Sequence, residues 1–166
     1  MFSVFKKINP FAKRTKIIDF LAVFFAIYAL YILVFLLGIY ALLADNLRAL
    51  FYPLLSGFFA AFVLNKIIYI VYKEKRPAAY KNTTVLISVP LNPSFPSRHA
   101  AFLFGISFNL LYFNISLAVF FIACSSLVGI ARVFSGVHWF RDILAGLFIG
   151  FISSSIIHAL SGYINL

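Results

Sequence analysis

Five apolar segments separated by polar interruptions set the pattern of this 166-residue chain. The first covers residues 20–44 without a charged side chain, which exceeds the roughly 20 residues that a helix needs to cross a bilayer. The others cover residues 49–72, 99–113, 115–130 and 143–160. We therefore predict an all-α, polytopic membrane helical bundle with about five transmembrane helices, forming one domain over residues 1–166.

The composition supports a membrane protein with an anionic ligand. Hydrophobic residues make up 64% of the chain and charged residues 11%, against about half and a quarter in soluble domains. The net charge is +10, but the basic residues fall mostly between the apolar segments, where they can meet lipid headgroups or a phosphate. We expect no nucleic acid as a partner, because that needs a basic face on a soluble module. No obligatory protein partner is indicated, and the single cysteine, Cys124, excludes an intrachain disulfide.

The polar stretches divide the predicted domain into parts. Residues 1–16 mix basic and apolar side chains, which predicts a basic segment lying on anionic lipid or a floppy tail. Residues 17–72 are predicted to hold two helices and residues 99–160 three. Between them, residues 73–98 contain four prolines, which exclude continuous helix and indicate an ordered active-site loop. Residues 84–89 are either a short strand or a buried loop. The N-terminus lacks the features of a cleaved secretory signal, so we expect the first apolar segment to be a retained anchor.

Three polar motifs stand at the edges of the apolar segments. They read Lys-Arg-Pro at 75–77, Pro-Ser-Arg-His at 96–99 and Arg-x5-His-x3-Asp at 132–142. Counting five spans places all three on the same side of the membrane. We predict that they form one phosphate-binding, histidine-based site at the membrane surface.

The second motif has the features of a helix start. Ser97 follows a proline and precedes an apolar run, so it is a natural N-cap. The free N–H groups of the first turn and the positive end of the helix dipole favour an oxyanion there. His99 can present a proton to a leaving-group oxygen. The alternative is a serine cap followed by two interfacial basic residues, Arg98 and His99.

The third motif pairs an imidazole with a carboxylate. His138 and Asp142 are four residues apart and share one face of a helix. A carboxylate that fixes one imidazole nitrogen leaves the other as a base or nucleophile. Arg132 can bring a planar set of donors to a phosphate. Two histidines and an aspartate can also bind zinc. We expect no metal and no other cofactor, because the field of Arg76, Arg98 and Arg132 repels a dication.

Together the ordered motifs resemble those of the type 2 phosphatidic acid phosphatase (PAP2) superfamily, which includes the vanadium haloperoxidases. The resemblance covers about residues 66–150. It implies a helical membrane enzyme that hydrolyses a lipid phosphate or diphosphate without a metal. By motif position, His138 would be the nucleophile that forms a phosphohistidine, Asp142 would orient it and His99 would protonate the leaving group. The phosphate oxygens would be held by Arg76, Ser97 and Arg132.

Two positions depart from the family's pattern. The family usually has a lysine seven residues before the arginine of the Arg-Pro motif, and this chain has Tyr69 there. By helical phase Lys73 is the first candidate to replace that lysine in phosphate binding, and Lys66 is the second. The other departure is Arg98, where the family usually has glycine, so Arg98 either adds a phosphate contact or faces lipid headgroups. Family members also often have six spans.

The resemblance leaves the substrate and the orientation open. Undecaprenyl diphosphate, phosphatidylglycerol phosphate, phosphatidate and lipid A 1-phosphate all fit such a site. A lipid phosphotransferase on the same residues and a non-catalytic protein that binds lipid phosphates are the alternatives to hydrolysis. We expect a multi-pass protein of the cell inner or plasma membrane. The positive-inside rule favours a site on the cytoplasmic side, whereas family members that act on carrier lipids commonly face outward.

Overall fold

The computed structural model describes residues 9–90 and 93–162 of the chain. These residues form six α-helices: α1 (Lys16–Ile27), α2 (Ala29–Leu43), α3 (Arg48–Val71), α4 (Arg98–Asn109), α5 (Ile115–Phe134) and α6 (Phe140–Ser161). Short 3-10 turns lie at Asn9–Phe11, Pro77–Ala79 and Leu110–Tyr112. The described residues contain no strand, which confirms the all-α prediction, and residues 84–89 form an irregular loop.

Polar residues begin two of the helices as their sequence predicts. The Ser97 hydroxyl accepts a hydrogen bond from the N–H of Ala100 at 3.4 Å, so Ser97 is the N-cap of α4. Asn114 caps α5 in the same way, accepting from the N–H of Leu117 at 2.9 Å. Each bond satisfies one of the free N–H groups that every helix leaves at its first turn.

The first apolar segment is broken in two. The chain bends by 54° between α1 and α2, at Tyr28. At the end of α1 the carbonyl of Ala26 accepts a hydrogen bond from Nη1 of Arg132 at 2.9 Å, and a side-chain donor at a helix carbonyl favours such a bend. Residues 17–72, predicted to hold two helices, therefore hold three.

Helix α4 is the centre of the bundle and lies between α3 and α6. A Cβ added at Gly105 would lie 3.0 Å from Cα of Gly57 on α3. A Cβ added at Gly150 on α6 would lie 2.6 Å from the backbone nitrogen of Gly105. Helices in membranes approach this closely only where small residues line the contact. The glycines thus fix α4, and the second motif at its start, against both neighbours.

Three of the described helices, α3, α5 and α6, are long and apolar enough to cross a membrane, and the bent pair α1–α2 makes four if it is one span. Helix α4 has 12 residues, or about 18 Å at 1.5 Å per residue, against about 30 Å for the hydrocarbon core. The predicted segment 99–113 is therefore a buried central helix, shorter than a full span. Large apolar side chains such as Phe20, Phe35 and Phe148 are exposed around the outside, as a lipid-facing surface requires.

The N-terminal segment packs onto the end of the bundle where α5 meets α6. Nδ2 of the buried Asn9 donates to the carbonyls of Thr84 and Phe134, at 2.8 and 3.0 Å. Oδ1 of Asn9 accepts from the N–H of Thr84 at 2.9 Å. Residues 1–8 of the predicted interfacial segment lie outside the described residues, and the lipid contact of residues 1–16 stays a prediction.

Candidate active site

The turn between α5 and α6 carries His138. Gly136 in this turn has a φ of +76°, which favours glycine, and a Cβ there would lie 2.4 Å from the carbonyl oxygen of Thr84. The N–H of Leu86 donates to the carbonyl of Ser135 at 3.2 Å. The loop before α4 therefore packs directly against the turn and holds its backbone.

The imidazole of His138 is held on both sides. Its Nδ1 lies 3.2 Å from Oδ2 of Asp142, and its Nε2 lies 3.3 Å from Nη1 of Arg76. Because a guanidinium only donates, Nε2 is the acceptor, and the imidazole proton is on Nδ1, donated to the carboxylate. Both partners of the His138–Asp142 pair are buried, with 3% and 0% of their side chains exposed. The Nε2 lone pair is thus directed towards Arg76.

The first motif is fastened to the same turn at two points. Nη1 of Arg76 donates to the carbonyl of Val137 at 3.0 Å. Nε1 of Trp139 donates to the carbonyl of Lys75 at 2.9 Å. The Arg-Pro motif, more than 60 residues away in sequence, is therefore positioned by the backbone on either side of His138.

The second motif joins the third through Asp142. The N–H of Ser97 donates to the Asp142 carbonyl at 3.1 Å, and the N–H of Trp139 donates to Oδ2 of Asp142 at 2.9 Å. His99, in the first turn of α4, lies close enough to His138 and Arg132 for their charges to act on it. One aspartate thus connects the start of α4, the start of α6 and the imidazole.

Arg132 lies in the last turn of α5, beside the histidines. Its guanidinium is buried and bonded through Nη1 to the bend after α1, and its Nε has no hydrogen-bond partner among the described residues. It is absent from the residues that line the cavity described next. Arg132 therefore brings a buried positive charge close to the histidines without lining either cavity.

Two contiguous cavities open beside these motifs. The first has a volume of about 250 Å³ and is lined by Arg76, Arg98 and His138, together with Asn65, Lys66 and Tyr69 of α3. The second, of about 460 Å³, is an apolar groove between α2, α3 and α4, with Arg98 and His99 at one end. Ala61, Phe62 and Arg98 line both. A cavity with cationic side chains in its lining therefore lies next to an apolar groove.

A model of the PAP2 superfamily matches residues 46–165, which include all three motifs. The chain belongs to the PAP2 superfamily. It is 30% identical to the bacitracin transport permease protein BcrC of Bacillus licheniformis, over 90% of this chain and 75% of that protein. It is also 30% identical to the undecaprenyl-diphosphatase BcrC of Bacillus subtilis strain 168, over 91% of this chain and 79% of that protein.

Two solved structures share the fold. The crystal structure of Aquifex aeolicus LpxE superposes with a TM-score of 0.71 at 25% identity, covering 95% of this chain and 94% of LpxE. The PAP2-type phosphatidylglycerolphosphate phosphatase from Bacillus subtilis superposes with a TM-score of 0.66 at 21% identity, covering 98% and 87%. The predicted family, the helical membrane fold and the assignment as a phosphate-ester hydrolase are thereby confirmed. The protein is an integral membrane PAP2 phosphatase.

The predicted site residues fall into two groups around the first cavity. Arg76, Arg98 and His138 line it. Behind or beside these lie Asp142, Ser97, His99 and Arg132. Lys73 is exposed and outside the lining, whereas Lys66 lines the cavity. The prediction for Lys73 assumed that the helix continues to this residue. Helix α3 ends at Val71, so Lys73 does not share the helix face that lines the cavity.

Several residues at the site were not predicted from the sequence. Trp139 is buried, lies outside the cavity lining and is bonded to the Arg-Pro loop, so it positions that loop. Asn65 lines the cavity, and its only sequence signal is an amide within an apolar segment. Among the described residues, no three His, Cys, Asp or Glu side chains cluster as a metal site would need.

Burial, together with the positive charges of Arg132 and Arg76, holds the pKa of His138 well below its ordinary value of about 6.5. Since a lowered histidine pKa favours the uncharged form, we expect this imidazole to stay neutral at pH values near 6, where an exposed histidine is mostly protonated. The chain has three histidines, so ¹⁵N-histidine NMR in detergent, with His138→Ala for assignment, tests this directly. A signal lost in His138→Ala that titrates at 6.5 or above would contradict the prediction.

Proposed function

We propose that this PAP2 protein removes the terminal phosphate of a polyprenyl diphosphate of the undecaprenyl type, through a phosphohistidine at His138. The observation that carries the proposal is the imidazole held by Asp142 at Nδ1 and Arg76 at Nε2, in the wall of a cationic cavity that lies next to an apolar groove. The likeness to an undecaprenyl-diphosphatase over most of both chains supports this choice of lipid.

The first chemical step is attack by Nε2 of His138 on the terminal phosphorus. The tautomer inferred from the contacts leaves Nε2 unprotonated, so Nε2 can attack once the Arg76 guanidinium turns from the ring to the phosphate. Asp142 then stabilises the positive charge that develops on the ring. The bond between phosphorus and the bridging oxygen breaks as the phosphorus–nitrogen bond forms. Arg76 and Arg132 act on the charge of the phosphoryl oxygens in the transition state.

The leaving oxygen takes its proton from His99. A bound phosphate offsets the positive charges of the arginines around His99 and therefore favours the protonated imidazole that this step needs. Water then attacks the phosphohistidine, the phosphorus–nitrogen bond breaks, and inorganic phosphate leaves. The lipid product keeps one phosphate. Ser97 contributes as the cap that holds the first turn of α4, with its anion-favouring helix end, beside His99.

The cavities favour a diphosphate on a long apolar chain. The lipid tail fits the groove between α2, α3 and α4, whose aromatic walls include Phe58, Phe62 and Phe102. Arg98 lines both the groove and the polar cavity, so it is placed where the phosphate attached to the tail would lie. Arg76 and His138 then face the terminal phosphate. A monophosphate leaves Arg98 without this contact.

Replacement of the nucleophile gives a first prediction. His138→Ala should abolish release of inorganic phosphate while the protein remains folded, because the variant lacks the Nε2 atom that attacks phosphorus in the proposed step. With ³²P-labelled substrate, the wild type should give an acid-labile, base-stable phosphoprotein that the variant lacks. His158→Ala is the matched control, since His158 is exposed near the far end of α6, stacked on Tyr112. Turnover in His138→Ala close to the wild-type rate would refute the assignment.

A substrate panel gives a second prediction. Undecaprenyl diphosphate should show a higher kcat/KM than phosphatidylglycerol phosphate, phosphatidate or lipid A 1-phosphate. Arg98→Gly should lower the undecaprenyl diphosphate value by about tenfold or more, the effect of losing one charge-assisted contact, and leave phosphatidate hydrolysis nearly unchanged. Equal rates on phosphatidate would contradict the diphosphate preference. Phosphate transferred to an added lipid acceptor would indicate a phosphotransferase, and binding without phosphate release would indicate a non-catalytic protein.

The orientation in the membrane gives a third prediction. The exposed Lys13, Arg14 and Lys16 accompany the site at one end of the bundle, and the positive-inside rule places such charges in the cytoplasm. Asn82→Cys, introduced in the exposed part of the loop after Cys124→Ala, should therefore resist a membrane-impermeant thiol reagent in intact cells and react after permeabilisation. Labelling in intact cells would place the site outside.

A further inference from the structure

A buried amide in the polar cavity has no partner within the described protein. Asn65 is 1% exposed, and neither Nδ2 nor Oδ1 makes a hydrogen bond. A buried amide without partners destabilises the folded state, because it gives up its bonds to water on folding. A ligand that enters the cavity would supply the missing bond.

The helix immediately before Asn65 is irregular, and this affects where the Asn65 side chain points. Residues Phe59–Leu64 form a π-helical segment within α3, and the N–H of Asn65 donates to the carbonyl of Ala60, five residues earlier. A π segment adds a residue to the turn and rotates every side chain that follows it, and such segments are frequent at functional sites. Here the side chains that follow and line the cavity are Asn65, Lys66 and Tyr69.

We propose that Asn65 is a direct ligand of the substrate's phosphate, donating through Nδ2 to a phosphoryl oxygen. It shares the cavity with Arg76, Arg98 and His138, and it lies beside Lys66, which brings the positive charge to this wall. Asn65 and Lys66 together take over phosphate binding from the lysine that the family usually has at the position of Tyr69. The inference rests on the proposed function, since it takes this cavity to be the phosphate site.

The test separates a ligand from a structural residue. Asn65→Leu has nearly the same shape and removes only the polar atoms, so the thermal midpoint should stay equal or rise. The KM for undecaprenyl diphosphate and the Ki of orthovanadate, a phosphoryl transition-state mimic, should both rise by about 10- to 100-fold, the effect of one hydrogen bond to a charged group. Asn65→Asp should raise KM and Ki further, because a carboxylate repels the phosphate.

Asn109→Leu is the matched control. Asn109 is equally buried on α4 and lies outside the cavity, with a single bond from Nδ2 to the carbonyl of Ser154 at 3.5 Å. Its replacement should leave KM and Ki unchanged. If Asn65→Leu does not fold, Asn65→Ala serves in its place, because it also leaves no unpaired polar atom.

Unchanged KM and Ki in the Asn65 variants would overturn the inference, as would a lowered thermal midpoint with normal kinetics. These results would leave the proposed function standing as long as His138→Ala is inactive. Full turnover in His138→Ala would instead remove the proposed function.

Discussion

The contact between the His138 imidazole and the Asp142 carboxylate is the constraint on which the other motif positions depend. Asp142 bonds to the imidazole and to the N–H of Trp139 through one oxygen, and its carbonyl receives the N–H of Ser97. The start of α4, the start of α6 and the ring are therefore fixed relative to one residue. Arg76 completes the arrangement by binding both Nε2 and the adjacent Val137 carbonyl.

The surplus of positive charge at this end of the bundle favours the binding of an anion. Arg76, Arg98 and Arg132 all act on the two histidines, and Asp142 is the one carboxylate inside the described cluster. Burying like charges together is costly unless an anion offsets them. A phosphoryl group supplies that charge and is itself stabilised most when its negative charge is greatest, as in the transition state. The positive charges that are costly to bury are therefore the same feature that favours a phosphoryl group in the proposed site.

Local geometry accounts for what could be predicted from the sequence. The pairing of His138 with Asp142 follows from a spacing of four residues on one helix, and the Ser97 cap follows from a serine before an apolar run. The motif order then identified the family. Features that depend on irregular backbone were missed: the π segment that turns Asn65 and Lys66 into the cavity, and the end of α3 at Val71 that leaves Lys73 outside. At the bend after α1 the carbonyl of Ala26 binds Arg132, more than 100 residues away, and no local pattern reveals such a contact.

The hydrogen bonds of Asn9 to Thr84 and Phe134 have a practical consequence. Its three hydrogen bonds hold the segment before α1 against the loop before α4 and the end of α5. A change that disturbs Asn9 would therefore disturb both the loop before α4 and the turn that carries His138. Helix α6 is 22 residues long, or about 33 Å along its axis, so a change at its last turn lies far from this contact.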